Sequence, residues 1–252
     1  MRSCDRAILA TAQRGGERGG EGGSEGAAGW PYPSLVLVAF DHDGSPLLLI
    51  SGLADHTRNI AEDPRVGLLF DGTAGLDQPL TGARLSVLGR IARSDDPRHR
   101  ARFLRRHPDA ALYAGFADFA VHRVAVERAH LVAGFGRIHW LTLAELDLPA
   151  VPAALAEAEA GLLAALDGTL AGLLAGLPAD RPPPGPGPGD GWAVTGLDPD
   201  GCDLRRGGYV ARVDFDQRIC DPESARLALA KLAECAGQAR RPGTGHAGGT
   251  GA

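Results

Sequence analysis

The chain lacks the features that identify several large classes of protein. Aromatic residues make up 5% of its 252 residues, and no apolar run approaches the roughly 20 residues that a membrane-spanning helix needs. Lys and Arg total 26 against 31 Asp and Glu, so the basic face of a nucleic-acid-binding protein is not expected. The four cysteines have no CxxC spacing, which argues against a disulfide framework or a zinc site.

The N-terminus also lacks the basic, apolar and small-residue order of a secretory signal. A cytoplasmic protein is therefore expected, with neither a membrane nor a nucleic acid as its partner.

Glycine and proline, by contrast, are abundant, and they divide the chain. A glycine-rich stretch covers residues 15–29, and a proline–glycine run covers 178–191. Such segments are typical of linkers and tails. We predict a flexible glycine-rich N-terminal segment (1–29), a barrel domain (30–148), a small C-terminal domain (151–241) and a tail (242–252).

The barrel domain is predicted from short runs of alternating or apolar residues. A first strand is expected at 7–12, and 34–40 and 46–50 read as a hairpin around an Asp-His-Asp-Gly turn. Further strands are expected at 65–70, 83–93, 119–127, 130–134 and 137–141. Helices are expected at 55–61, at 95–106 with Ser94 as N-cap, and at 109–115. Short strands without a βαβ rhythm favour an antiparallel barrel.

The C-terminal domain shows a different pattern. An Ala- and Leu-rich helix is expected within 151–177, and hairpin strands at 193–197, 203–205 and 209–215. A last helix at 222–240 begins after Asp221 as N-cap. The whole is an α+β fold: a split antiparallel β-barrel followed by a small helix–strands–helix domain.

A cluster of polar residues follows the apolar hairpin at a strand-to-helix turn. Its members are Ser51, His56, Thr57, Arg58 and Asn59, with Ser34 near a neighbouring strand end. Hydroxyls, a helix N-terminus and a cation are the groups that hold a phosphate or a carboxylate. The alternative is a capped turn in which Arg58 pairs with Asp55 or Glu62 while His56 packs in the core.

Several motifs recur in the order of one known family. They are Ser34-Leu-Val, Ser51-x-Leu-Ala-x-His-Thr-x-Asn59, Asp63-Pro-Arg65, Ala83-Arg-Leu85, Gly89, His107-Pro-x-Ala110, Tyr113-x-x-Phe-x-Asp-Phe119 and Gly134-Phe-Gly136. Over residues 34–141 the chain resembles the pyridoxamine-phosphate-oxidase-like, FMN-binding split-barrel family, in its heme-utilisation (heme-oxygenase-like) branch. The C-terminal part resembles the small domain often attached to these barrels. The resemblance implies a six-stranded barrel, a homodimer, and heme or FMN at the seam between subunits.

The resemblance also implies roles for residues. His56 to Asn59, with Ser34 and Ser51, would bind a phosphate or propionate, and Arg84 would reach a propionate or a flavin ring. Asp118 would hydrogen-bond near the heme. His246 would be the iron ligand, because relatives take that ligand from near the C-terminal end. Each has an ordinary alternative: a surface arginine, a turn aspartate and a solvated tail histidine. His56, His122, His130 and His139 are further candidate ligands.

Two departures from the family pattern bear on function. His56 stands where flavin-dependent relatives carry a lysine, which weakens the expected hold on the FMN phosphate. The His-Asn-x-Asp-His motif of the second domain is missing around 165–170. Three functions therefore stay open: heme binding with degradation by oxygen and a reductant, an FMN-dependent oxidoreductase, and a non-enzymatic barrel that binds a partner of the tetrapyrrole pathway.

Overall fold

The computed structural model describes residues 1–15, 28–134, 136–166 and 192–239. The strands are β1 (Arg6–Ala12), β2 (Pro31–Leu37), β3 (Ala39–Phe40), β4 (Pro46–Ser51), β5 (Arg65–Asp71), β6 (Ala83–Arg93), β7 (Phe119–Ala133), β8 (Ile138–Thr142), β9 (Ala193–Asp198), β10 (Gly201–Arg206) and β11 (Tyr209–Asp214). The helices are α1 (Asp55–Glu62), α2 (Pro97–Arg106), α3 (Leu143–Leu146), α4 (Ala153–Ala164) and α5 (Pro222–Ala239), with 3₁₀ turns at Pro79–Thr81 and Pro108–Leu112.

The first sheet closes on itself. Its strands follow the order β2-β1-β5-β6-β7-β4-β3, with β8 paired to β7, and every pairing is antiparallel. Only the fully buried Val38 separates β2 from β3, so the two ends of this order are one piece of chain. Six segments therefore surround the core, as the resemblance implied, and the α+β split-barrel fold is confirmed.

Strand β4 is buried on both faces. Leu48 and Ile50 face the barrel core, whereas Leu47 and Leu49 belong to a second cluster with Phe103 of α2. Because both faces pack against apolar side chains, the strand has a continuous apolar run instead of an alternating pattern. Helix α2 is thereby fixed against the outside of the barrel.

The C-terminal residues form a three-stranded antiparallel sheet in the order β11-β10-β9. Helices α4 and α5 pack on this sheet through a separate apolar cluster that includes Leu155, Leu197 and Leu204. Asp221 caps α5 as predicted, since its carboxylate accepts the backbone N–H groups of Glu223 and Ser224 at 2.9 and 2.8 Å.

A buried network of charged and polar side chains joins the barrel to the C-terminal sheet. We call Asp41, His42, His99, Arg102, Arg105 and Glu159 the α2 network. Arg102 donates to Glu159, to the carbonyl oxygens of Phe40 (2.8 Å) and Leu197 (3.0 Å) and to His42 Nε2 (3.1 Å). A guanidinium only donates, so His42 Nε2 accepts and its Nδ1–H lies toward Asp41 at 3.2 Å.

Glu159 is the centre of this network. It also accepts from Arg105 (2.5 Å) and from the N–H of Leu197 (3.0 Å). Burial alone would raise the pKa of Glu159, but the charges of Arg102 and Arg105 outweigh it and lower the pKa below the ordinary value. The carboxylate is therefore ionised at neutral pH and holds α2, α4 and β9 together.

Three local predictions were wrong. The segment predicted as one strand at 34–40 is divided at Val38: β2 pairs with β1, and only β3 pairs with β4. Asp96, not Ser94, caps α2, since its carboxylate accepts the N–H of Arg98 at 2.9 Å. The expected helix at 109–115 is the 3₁₀ turn Pro108–Leu112.

The closing strands also differ from the prediction. Residues 119–127 and 130–134 form one strand, β7, whose register with β6 shifts between Leu88 and Gly89. Glu127 is the extra residue of this bulge. A Cβ at Gly89 would collide with the carbonyl oxygen of Ala125, so the bulge needs glycine there. A bulge interrupts the alternation, which is why one strand gave the pattern of two.

The predicted N-terminal boundary needs a correction as well. Residues 6–12 form β1, which pairs with β2 on one side and β5 on the other. The barrel therefore includes the first described residues instead of beginning at residue 30. Most of the glycine-rich stretch, the proline–glycine run and the tail at 242–252 lie outside the described residues.

Candidate functional site

Helix α1 lies across one end of the barrel and directs part of its polar face inward. Asn59 and Ile60 are buried, whereas Arg58 and Asp55 are exposed. The backbone cap of α1 is Ala54, which offers no side-chain hydrogen bond. The first turn of the helix, which contains His56 and Thr57, is thus less firmly anchored than the second.

His56 contacts a hydroxyl on strand β2. Its Nδ1 lies 3.2 Å from Ser34 Oγ. Burial lowers the pKa of His56, Asp55 raises it and the nearby His122 lowers it again, with a net shift below the ordinary value. The imidazole is therefore neutral at pH 7, with one nitrogen that donates and one that accepts.

Two buried atoms of α1 have no hydrogen-bond partner within the described residues: His56 Nε2 and Thr57 Oγ1. Buried polar atoms are nearly always paired, and an exception often marks a place where a ligand or water completes the site. These two belong to adjacent residues in the least anchored turn of the helix. They are the strongest local sign that the end of the barrel receives another molecule.

His122 lies near this end of the barrel, on β7. Its Nδ1 is 3.1 Å from the carbonyl oxygen of Ala120. Burial lowers the pKa of His122, the Ala120 hydrogen bond raises it and Arg93 lowers it, so that it too falls below the ordinary value. The alternation of β7 could have suggested that this histidine points inward, as Val124 and Val126 do.

Two residues that were predicted to contact a ligand instead bind other groups of the protein. Asn59 is 1% exposed; its amide donates to Thr11 Oγ1 at 2.9 Å and accepts the backbone N–H of Arg14 at 3.0 Å. It fixes α1 to β1 instead of offering a group to a ligand. Arg58 pairs with Asp55 at 3.5 Å on the exposed side of the helix, as the alternative interpretation stated.

Ser51 and Asp118 meet beside α1. Ser51 Oγ donates to Asp118 Oδ2 at 2.5 Å and accepts the N–H of Leu53 at 3.0 Å. The N–H of Gly52 also donates to the Asp118 carbonyl oxygen at 2.7 Å. The exposed side chains of Leu53 and Phe116 lie in the same two turns. The pair thus holds two loops together and has apolar groups at its border.

The remaining predicted residues are not brought to this cluster. The Arg84 guanidinium donates to the carbonyl oxygens of Pro79 (3.3 Å) and Gly82 (3.4 Å), and so stabilises the loop before β6. His246 lies outside the described residues, as does the stretch 167–170 of the missing histidine motif. Within the described ranges, no group of three His, Cys, Asp or Glu side chains is arranged to hold a metal ion.

No helix among the described residues has the length and apolar character to cross a membrane.

Comparison with protein families and curated proteins gives two results. The family model "Pyridoxamine 5'-phosphate oxidase" matches residues 1–133, slightly more than half of the chain. A protein named non-canonical heme oxygenase HOZ, chloroplastic, from Arabidopsis thaliana is 33% identical over 109 residues, which are 42% of this chain and 33% of that protein. The chain thus spans about a third of the length of this relative.

Two solved structures resemble the whole chain. One is the protein Atu2129, of unknown function, from Agrobacterium tumefaciens, with a TM-score of 0.70 and 25% identity over 91% of this chain and 90% of that one. The other is a heme binding protein from Mycobacterium smegmatis, with a TM-score of 0.50 and 29% identity over 94% of this chain and 93% of that one. Both likenesses extend over the barrel and the C-terminal region.

Proposed function

Because the chain belongs to the pyridoxamine 5′-phosphate oxidase family, we propose that it is a heme-binding split-barrel protein. Two relatives support heme over the flavin of other members. The plant relative is named a heme oxygenase, and the mycobacterial structure, covered almost from end to end, is named a heme binding protein.

The observation that carries the proposal is the imidazole of His56. It is neutral, its Nδ1 lies against Ser34 Oγ, and its Nε2 has no partner among the described residues. If Nδ1–H donates to Ser34, Nε2 presents a lone pair, the form in which histidine binds heme iron. A hydrogen bond on the second nitrogen is the usual support of a histidine ligand.

Thr57 and Asp118 would complete the contacts. The unpartnered Thr57 hydroxyl can donate to a propionate oxygen, and the apolar rim at Leu53 and Phe116 suits the porphyrin edge. The Asp118 carboxylate, held by Ser51, would accept a hydrogen bond near the iron. Since His56 Nε2 is covered in the single chain, binding would require the weakly capped first turn of α1 to shift outward.

FMN is the alternative ligand, but the cationic side chains predicted to bind it already have partners within the protein. A phosphate with two negative charges is bound more strongly by donors that carry positive charge. Arg58 is paired with Asp55, Arg84 with two carbonyl oxygens, and the amide of Asn59 is used within the protein. A barrel that binds only a partner protein is the remaining alternative.

We also propose a homodimer, with the ligand at its seam. Leu35, Ile8 and Leu69 lie side by side on the outer face of β2, β1 and β5, and all three are partly or largely exposed. An exposed apolar strip across three strands is typical of a surface that a second protein covers.

Bound heme would supply an iron that activates oxygen, and the protein would supply the ligand, the propionate contacts and a hydrogen-bond partner. His246 is a second proposed iron ligand. Degradation of heme in the presence of ascorbate and oxygen is the enzymatic form of the proposal. It would be seen as a loss of the Soret band over time.

The test is an absorption titration of the purified full chain with hemin and, separately, with FMN. We expect a saturable Soret band with hemin and no flavin binding. His56→Ala should shift or remove the band, and added imidazole should restore it. His139→Ala, an exposed histidine on β8, is the matched control.

If His246→Ala removes the band and His56→Ala does not, the tail histidine is the ligand. Saturable FMN binding without a hemin band would replace the proposal by the flavin alternative. Failure to bind either would leave the partner-binding barrel.

A further inference from the structure

An aromatic pair lies on the outer face of the barrel. His130 on β7 is the register partner of Trp140 on β8, and the ring centroids are 4.6 Å apart at an interplanar angle of 31°. The Arg128 guanidinium lies 5.1 Å from the centroid of the indole. We call these three residues the outer shelf. Trp140 is 59% exposed, so much of the indole is accessible.

The shelf ends a row of register partners that crosses six strands. In order from β2 to β8 they are Leu35, Ile8, Leu69, Ser86, His130 and Trp140. The first three are aliphatic, which suits the side chains of a second protein. The last two are rings, and the Arg128 guanidinium lies over the indole. The chemistry of this face therefore changes along the row, from aliphatic side chains to aromatic rings with a cation.

An exposed indole with a guanidinium over its ring fits a planar aromatic ligand that carries carboxylates. Aromatic rings stack favourably on an indole, and a guanidinium matches a carboxylate through paired N–H groups. Ile138 and Leu143, both more than half exposed, add apolar surface at the border. These properties describe a porphyrin with its propionates better than a phosphate or an aliphatic chain.

We propose that the outer shelf binds a tetrapyrrole, with the macrocycle stacked on Trp140 and a propionate paired with Arg128. The inference rests on the proposed heme binding and locates a second contact for it. His56 faces the inside of the barrel end, whereas the shelf faces outward.

Metal-free protoporphyrin IX is the probe that isolates the shelf, since it stacks on an indole but cannot be ligated by a histidine. The full chain is titrated with protoporphyrin IX and with hemin. Trp140→Ala should weaken protoporphyrin binding about tenfold or more, and Trp140→Phe should retain most of the affinity. Trp30→Ala is the matched control, because Trp30 is similarly exposed at 65%. It should bind as the unaltered chain does.

Three results would overturn the shelf while heme binding stands. Trp140→Ala could bind protoporphyrin with unchanged affinity. Trp30→Ala could weaken it equally, which would mean unspecific contact with any exposed indole. Trp140→Ala could convert a dimer to a monomer in light scattering, which would assign the shelf to a second copy. If the unaltered chain binds neither porphyrin, the proposed function itself fails.

Discussion

The end of the barrel under α1 and the α2 network both bury polar side chains, but they complete their hydrogen bonds differently. In the network, Glu159 accepts from two arginines and a backbone N–H, and His42 uses both ring nitrogens. Under α1, His56 Nε2 and Thr57 Oγ1 lack partners within the described residues. Both regions resemble polar sites in the sequence, yet only one has hydrogen-bonding capacity left over.

This difference separates a region that stabilises the fold from a region that can bind a ligand. A saturated buried network contributes to stability only while every member is present. A buried group without a partner costs stability in the free protein and regains it when a ligand arrives. Arg98 and Arg106 of α2 also have nitrogens without a hydrogen bond. Arg98, however, pairs with Asp96, and Arg106 donates to the carbonyl oxygens of Arg2 and Cys4 and lies 3.2 Å from Asp203.

The largest effect is expected from Glu159→Gln. The change keeps the volume but leaves Arg102 and Arg105 without their buried carboxylate, so the free energy of unfolding should fall by about 3–5 kcal/mol. Urea denaturation at pH 7 measures it. Glu157→Gln, exposed on the same helix, should change it by less than about 0.5 kcal/mol. Equal losses in the two variants would mean that the network does not stabilise the fold.

Acid should destabilise the protein through His107. Its Nε2 lies 3.0 Å from the carbonyl oxygen of Val38, and burial is the main cause that lowers its pKa to about 4. Between an unfolded pKa of about 6.5 and this value the unfolded chain binds more protons, so stability falls as the pH falls. His107 alone should account for a loss of about 3 kcal/mol.

Denaturation midpoints measured from pH 7 to pH 4 test this. His107→Gln can keep the hydrogen bond to Val38 but does not titrate. This variant should therefore lose less stability between pH 7 and pH 4. An identical pH dependence in both proteins would assign the acid sensitivity to other groups.

Two isosteric substitutions compare a buried hydroxyl that has a hydrogen-bond partner with one that lacks a partner among the described residues. Thr11→Val removes the acceptor of the Asn59 amide and should cost about 1–2 kcal/mol. Thr57→Val removes a hydroxyl without a partner and should be neutral or stabilising by up to about 1 kcal/mol. Thermal and urea unfolding of both variants give the values. If Thr57→Val is the more destabilising, its hydroxyl has a partner in solution and the distinction fails.

The smallest effect is expected from Arg58→Ala. Its ion pair with Asp55 is partly exposed at 3.5 Å, and such pairs contribute at most about 0.5 kcal/mol. The same variant should retain hemin affinity, because the guanidinium lies on the exposed side of the helix. A clear loss of affinity in a hemin titration would show that Arg58 does contribute to ligand binding.

More of the fold than of the candidate site could be predicted from the sequence. The predicted limits of strand β6, at 83–93, match the structure. Polar residues between 51 and 59 were recognised as one cluster, but the direction of each side chain depends on how α1 rotates against the barrel. That rotation turns Asn59 inward and Arg58 outward.

Contacts between distant strands could not be predicted from the sequence, for a related reason. The stacking of His130 on Trp140 follows from the register of β7 and β8. Likewise, nothing in the residues around Glu159 indicates that its partners are two arginines of α2. Local patterns specify elements, whereas these contacts depend on packing.

The position of β1 determines when the barrel can form during synthesis. Leu9 has Ser34 on one side and Leu68 on the other, so β1 cannot complete its pairing until two later strands have been synthesised. The barrel can close only after β7 has been synthesised, because β4 pairs with β7. Pairings between such distant segments make folding slow. The early apolar strands would therefore be exposed to chaperones, or to neighbouring chains, until residue 133 is made.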